Sequence, residues 1–181
     1  MEITNEVEIA KKAGVEMKRS YRVGKSTFGV LLKECQGIRN LQLFMEAEAT
    51  PDKRTADALL FSGVDGLVLD NVSIHWNDQK PESAWQHALV TERVRNFRLR
   101  DVSARQALAS SPLPALRITD CTNGIVTESM AQPGSGTFLS IDGKATKDLL
   151  LHTNYLNNAR QPLTIGNGVS KESVVYKPFV K

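Results

Sequence analysis

The chain is poor in the features that mark several protein classes. Its 181 residues hold only two cysteines and three histidines. Cys35 and Cys121 are too few for a disulfide framework or a cysteine zinc site. His75, His87 and His152 are dispersed without metal-ligand spacing, so no metal is expected. No apolar run approaches the ~20 residues that span a bilayer, which excludes a transmembrane helix. The first residues, Met1-Glu-Ile-Thr-Asn-Glu6, lack the basic and apolar regions of a signal peptide. The formal charge of +3 is not gathered in one place: residues 1–56 carry +2, 57–130 carry −2 and 131–181 carry +3. A nucleic-acid binder concentrates its positive excess on one face, so no nucleic-acid partner is expected. The one dense basic stretch, Arg93, Arg95, Arg98, Arg100 and Arg105, reads as solvent-facing residues around inward Leu99. Helical periodicity is confined to residues 6–18, where Gly14 interrupts it.

What the sequence does hold is a recurrence. Six segments carry apolar residues two apart: Val30/Leu32, Ala58/Leu60, Ala88/Val90, Leu116/Ile118, Leu139/Ile141 and Leu163/Ile165. Successive pairs lie 28, 30, 28, 23 and 24 residues apart. A spacing of two places both side chains on one side of a strand. A second pair follows each of the first five: Leu41/Leu43, Leu67/Leu69, Phe97/Leu99, Ile125/Thr127 and Leu149/Leu151. Third inward candidates are Val72 with Ile74, then Val102, then Met130. Such a unit cannot bury its own apolar side, but stacking successive turns does. The pattern predicts an all-β, right-handed, single-stranded parallel β-helix of about six coils.

The rival is a β-sandwich, because Asp65-Gly66, Asn123-Gly124 and Asp142-Gly143 are hairpin dipeptides. At the positions matching Asp65-Gly66, however, stand Arg95-Asn96 and Arg39-Asn40, without glycine. Variable corners between persistent apolar pairs favour the solenoid. Its expected organisation is an N-terminal partial coil or cap over 1–27, the β-helix over 28–172 and a tail over 173–181. Ile3, Val7 and Ile9 would cover the N-terminal end poorly, leaving an uncapped coil end open to self-association. Long corners at 46–57, 75–87 and 104–114, each with proline (Pro51, Pro81, Pro112, Pro114), lie on one side, often the ligand side of such folds.

On this alignment Asp70, Arg100, Glu128 and His152 form one outward column. The two carboxylates would lie about 9.6 Å apart, but Arg100 between them favours their ionised forms over the proton-bearing state an acid catalyst needs. A surface charge ladder is the expected role. Cys35 and Cys121, about 14 Å apart on the same spacing, exceed the disulfide limit and are expected as free thiols. His75, Trp76, Trp85 and His87 bracket one long corner and are the candidate carbohydrate-contacting residues, since aromatic planes suit the C–H faces of sugars; the tryptophans could equally cover the underside of their own loop. The asparagines at 154, 157 and 158 suit turns. No phosphate loop, nucleophile elbow or cofactor motif is present, and no cofactor is expected.

The segments Ala58-Leu-Leu-Phe-Ser-Gly-Val-Asp-Gly-Leu-Val-Leu-Asp-Asn-Val72 and Ala88-Leu-Val-Thr-Glu-Arg-Val-Arg-Asn-Phe-Arg-Leu-Arg-Asp-Val102 resemble consecutive coils of polygalacturonase-like proteins. Gly134-Ser-Gly-Thr-Phe-Leu139 and the run Asn154 to Pro162 are similar to the C-terminal coils of glycoside hydrolase family 28, over roughly residues 28–168. The resemblance implies a pectin-lyase-like fold, a polysaccharide or oligosaccharide ligand and full-length relatives that are exported. It implies no catalytic residue here. The family's Asn-Thr-Asp, Asp-Asp, Gly-His-Gly and Arg-Ile-Lys motifs are absent, Arg117-Ile118-Thr119 stopping short of the last. The resulting expectation is a β-helical portion of a carbohydrate-active protein that is inactive alone, a strand around Ile3 being a remnant of a preceding coil. Alternatives are a non-catalytic carbohydrate-binding module and a structural fibre or adhesin segment.

Overall fold

In the computed structural model the described residues are 18–23, 30–33, 36–47, 57–76, 78–79, 85–109 and 111–179, with side chains described from residue 57 onward. The residue 6–17 helix pattern, Ile3, Val7, Ile9, Cys35, Pro51 and Pro81 lie outside them. Among the described residues fourteen strands run in chain order: β1 Lys18–Val23, β2 Val30–Lys33, β3 Gln36–Ala47, β4 Asp57–Ser62, β5 Asp65–Trp76, β6 His87–Glu92, β7 Arg95–Ala104, β8 Pro114–Thr119, β9 Thr122–Thr127, β10 Met130–Ala131, β11 Thr137–Asp142, β12 Lys147–His152, β13 Gln161–Ile165 and β14 Val174–Lys177. They form two sheets. One has the order β1-β3-β5-β7-β9-β12-β14, with β10 beside β7, and the other the order β13-β11-β8-β6-β4-β2. Every pairing between them is parallel.

Each strand inside the two sheets thus hydrogen-bonds to its equivalents one turn before and one turn after, which makes the molecule an all-β parallel β-solenoid of about four turns. The described strands do not establish the count of six coils. Residues 18–23, inside the segment read as an N-terminal coil or cap, pair with β3. Residues 174–177, inside the segment read as a tail, pair with β12 and extend the same sheet.

The interior is built by a spacing that simple alternation does not describe. In one turn the buried residues are Leu59, Phe61, Val64, Leu67, Leu69, Val72 and Ile74. In the next they are Leu89, Thr91, Val94, Phe97, Leu99, Val102 and Ala104, and then Leu116, Ile118, Cys121, Gly124, Val126, Ser129 and Ala131. The steps run two, three, three, two, three, two in each turn. Each step of three contains one residue with left-handed backbone: Gly63, Gly66 and Asn71 in the first turn, Arg93, Asn96 and Asp101 in the second, Asp120, Asn123 and Glu128 in the third. The fourth turn repeats this with Gly143, Asp148 and Thr153. One extra left-handed residue reverses the parity of a strand, so the chain turns its corner and the next apolar side chain still points inward. Asparagine and aspartate tolerate this conformation best after glycine, and the three residue types together occupy nine of these twelve positions.

This spacing corrects several sequence-based alignments. In β4 and β6 the inward pairs are Leu59/Phe61 and Leu89/Thr91, in register with Leu116/Ile118 and Leu139/Ile141. Ala58/Leu60 and Ala88/Val90 lie one residue out of step. The sequence pattern does not separate the two sets because Ala58, Ala88 and Val90 are also buried, which erases the alternation. In β9 the inward pair is Gly124/Val126, not Ile125/Thr127. A glycine gives no apolar signal, yet it is required there because the Phe97 ring of the preceding turn fills the space of its side chain. In β3, Ile38 and Leu41 pair with Leu67 and Leu69 across irregular register, and Leu43 pairs with Val72. Met130 points outward and is 46% exposed; Ser129 and Ala131 flank it inside. The corner matching Asp65-Gly66 keeps its left-handed residue as Asn96 and Asn123, so only the residue type varies.

The interior also holds polar residues in a single column. Val72 and Val102 are followed, one and two turns later, by buried Ser129 and Asn154. Asn154 Oδ1 accepts from the Ser129 N–H at 3.0 Å and its Nδ2 donates to Val126 O at 3.0 Å. Ser129 Oγ accepts from the Val102 N–H at 3.3 Å. The polar groups are therefore satisfied by the backbone bends they stabilise.

Cys121 belongs to another interior column, after Val64 and Val94. Its Sγ accepts from the Val94 N–H at 3.3 Å and lies near Thr91 and Thr119 carbonyls, and burial pushes its thiol pKa upward. A buried thiol with a raised pKa reacts slowly. Iodoacetamide is expected to modify Cys121 about a hundredfold more slowly in the native chain than in denaturant, the factor for an opening free energy of about 3 kcal/mol. Peptide mapping by mass spectrometry separates it from Cys35; rapid native labelling of Cys121 would contradict its place in the core.

Candidate functional site

Two regions concentrate chemistry. The first is the corner bracketed by the predicted residues. His75 and Trp76 end β5, and Trp85 precedes β6, which His87 opens. Trp76 Nε1 donates to Arg105 O at 2.9 Å, and its ring meets that of Trp85 at 5.6 Å with planes inclined by 57°. Trp85 is buried with Ala107 and only 3% exposed. This small apolar cluster lies beneath the long corner, where Arg105, itself buried, donates to Gln106 O at 3.0 Å and Ala107 O at 2.8 Å and pairs with Asp78.

His87 is buried and its Nδ1 lies 2.7 Å from Pro114 O. Its neighbour one turn back is Asp57. Burial pushes the Asp57 carboxyl pKa upward against the opposing pull of His87, and Asp57 Oδ1 has no hydrogen-bond partner. His75 is exposed and 2.8 Å from Ser73 Oγ. The structure therefore joins Trp76 to Trp85 as a tilted pair, with His87 buried and His75 exposed. Trp85 and His87 are each 3% exposed, while His75 and the half-buried Trp76 are accessible on this corner.

The second region is the outer face of the sheet containing β4, β6, β8 and β11. Its last outward positions are in register: Ser62, Glu92, Thr119 and Asp142. The preceding outward positions in β8 and β11 are Arg117 and Ser140. Arg117 donates to Glu92 Oε1 at 2.9 Å, Ser140 Oγ donates to Asp142 Oδ2 at 2.7 Å, and Arg93 donates to Ser62 Oγ at 2.7 Å. Arg117 Nε and Thr119 Oγ1 are shielded from solvent and have no partner. A donor and a hydroxyl left without partners within a polar row are unusual, because buried polar groups are nearly always bonded.

Glu92 and Asp142 lie two turns apart, about 9.6 Å by strand spacing. That lies just beyond the separation used by inverting glycosidases, roughly 6.5–9.5 Å. Yet Glu92 is committed to an ion pair with Arg117, the arrangement of a binding carboxylate and not of a proton donor. Sequence reasoning missed this row because the one-residue misalignment in β4 and β6 placed Ser62 and Glu92 outside the paired positions. The available signal was a polar residue immediately before each left-handed corner residue Gly63, Arg93, Asp120 and Gly143.

The outward column read as Asp70, Arg100, Glu128 and His152 contains Thr127 in place of Glu128, followed by Lys177. Glu128 is the left-handed bend residue one position later. Arg100 Nε donates to Asp70 Oδ1 at 2.9 Å in a two-point pair, so this end of the column is a surface ion pair.

Among the described residues no group of three or more His, Cys, Asp or Glu could hold a metal ion, and no helix is long and apolar enough to cross a membrane. No protein-family model, curated protein or solved structure matches this chain. The likeness to glycoside hydrolase family 28 thus rests on the coil pattern alone, and what is established is a parallel β-solenoid.

Proposed function

We propose that the chain is a non-hydrolytic carbohydrate-binding solenoid that holds a polysaccharide or oligosaccharide along the outer row Ser62, Glu92, Thr119 and Asp142. The observation that carries this reading is the in-register outer row itself, in which half-buried Glu92, Thr119 and Asp142 stand beside Arg117 and Ser140. A sugar presents adjacent hydroxyls that both donate and accept, which suits a row offering carboxylates, a hydroxyl and a guanidinium. Successive turns repeat along the solenoid at about 4.8 Å, so an extended chain meets equivalent positions in sequence. The ion-paired Glu92 and the absence of the family's catalytic motifs support binding without cleavage. His75 and Trp76, on the neighbouring corner, remain the candidate apolar contact for the same ligand.

A glycan array probed with the purified chain tests this. Saturable retention on at least one glycan is expected, and Arg117→Leu should weaken it by about tenfold or more, the loss of one hydrogen bond to a charged group. Retention on no glycan, or retention indifferent to Arg117→Leu, would refute the reading. Release of reducing ends from polygalacturonate by the same chain would overturn its non-hydrolytic part.

A further inference from the structure

The C-terminal turn carries a cleft that the carbohydrate reading does not use. It has a volume of about 430 Å³ and is lined by Leu150, His152, Thr153, Lys177, Pro178 and Phe179. That volume lies within the range of small-molecule sites, roughly 300–1,000 Å³.

The register explains why these residues meet. Leu150 and His152 are outward positions of β12, and Lys177 pairs with His152 from β14, one turn later. Left-handed Thr153 ends β12, so the chain bends away beside the cleft. The far wall is formed by Pro178 and Phe179, and Phe179 is anchored by its ring contact with Tyr155 at 4.5 Å between centroids. The wall is therefore held from behind by a side chain of the preceding turn.

The chemistry of the lining is one-sided. Leu150, Pro178 and Phe179 supply an apolar body, whereas Lys177 supplies a positive charge and His152 a ring nitrogen. His152 Nδ1 lies 2.9 Å from Thr153 Oγ1 and 3.4 Å from Thr127 Oγ1. In the tautomer that carries its proton on Nε2, these hydroxyls donate to Nδ1 and Nε2 is a further donor. No lining residue is acidic. Three turns earlier in the same column Arg100 is neutralised by Asp70, but Lys177 forms no ion pair among the described residues. An apolar pocket with a donor and an uncompensated cation at one rim suits a ligand that is apolar at one end and anionic at the other.

We propose that this cleft is a binding site for a small carboxylate with an aromatic or branched aliphatic body, its carboxylate held by Lys177 and His152 and its body against Leu150 and Phe179.

The probe is 1-naphthoate, titrated into the isotopically labelled chain and followed by amide chemical shifts, with 1-naphthalenemethanol as the uncharged counterpart. Saturable shifts confined to residues 150–153 and 175–179 are expected for naphthoate, with affinity at least about fivefold weaker for the alcohol, about 1 kcal/mol for one partly exposed charge. Lys177→Gln, an exposed substitution that leaves the core intact, should abolish that difference. Phe179→Ala should weaken both probes alike. Shifts that do not saturate, that spread over other surfaces, or that are equal for the acid and the alcohol in the unaltered chain would overturn the proposal. Because the row around Arg117 lies in the other sheet, Arg117→Leu should leave naphthoate binding unchanged, which keeps this site's failure separate from that of the carbohydrate reading.

Discussion

Gly124→Ala is expected to destabilise the chain by about 1–3 kcal/mol, the cost of forcing atoms into a filled core. A β-carbon at residue 124 would lie 2.1 Å from Phe97 Cζ and 2.2 Å from Cε1. Those are core atoms and not the tip of a flexible chain: Phe97 is buried and stacks between Leu67 of the turn before and Gly124 of the turn after. Leu149 follows on the far side of Gly124, so the ring has little room to retreat. The four residues therefore form one column in which a large ring is accommodated by the absence of a side chain. Phe97→Leu should itself destabilise the chain by opening a void, while making Gly124→Ala nearly harmless. Urea unfolding of the four members of this cycle measures the coupling, which should exceed about 1 kcal/mol. Additive effects would mean that the column is not packed as described.

Gln106→Ala is expected to cost about 3 kcal/mol, by a different route. Gln106 is 0% exposed, though it lies in a long corner outside the regular strands. Its Oε1 accepts from the Gly136 N–H at 3.0 Å, and its Nε2 donates to Gly134 O at 2.9 Å and is shared with Leu108 O and Ala109 O at 3.2 Å each. One side chain thus supplies hydrogen bonds to two corners on adjacent turns, where no ladder can. Truncation leaves the N–H of buried Gly136 without this partner, which costs more than the bond is worth when made, whereas Leu108 O keeps the Ser111 N–H. Gln106→Glu preserves the shape but sets an acceptor against carbonyl oxygens, so it should not rescue. Faster amide exchange at Gly136, together with a lower unfolding midpoint for both variants, is the expected result. Wild-type exchange at Gly136 in either variant would contradict it. Gln132 plays the equivalent role one turn on, donating to Ile74 O and Ser103 O at 3.0 Å each.

Neither effect is visible in a pattern of apolar residues. Gly124 contributes nothing to such a pattern, and Gln106 reads as a polar loop residue. The same limit applies to the candidate site. His75, Trp76, Trp85 and His87 were conspicuous by type, but type does not reveal that the Trp85 ring lies under its own loop or that His87 points into the interior. Glu92, Thr119 and Asp142 were inconspicuous, because their alignment depends on knowing which of two apolar residues in β4 and β6 faces inward. Where Ala58, Leu59, Ala88, Leu89 and Val90 are all buried, the alternation that would decide this is lost.

The sequence by itself determined the solenoid. Its recurring apolar residues cannot be buried within one turn, and stacking equivalent strands in parallel is the arrangement that buries them all. It also placed the corners, since glycine, asparagine and aspartate recur where the backbone becomes left-handed. The tertiary structure alone decided the register between turns, and with it every neighbour on the outer faces. The physical reason is that each corner inserts one left-handed residue and reverses the strand's parity. An error of one residue at a corner exchanges inside for outside, and only the fit between turns, as at Phe97 and Gly124, excludes it.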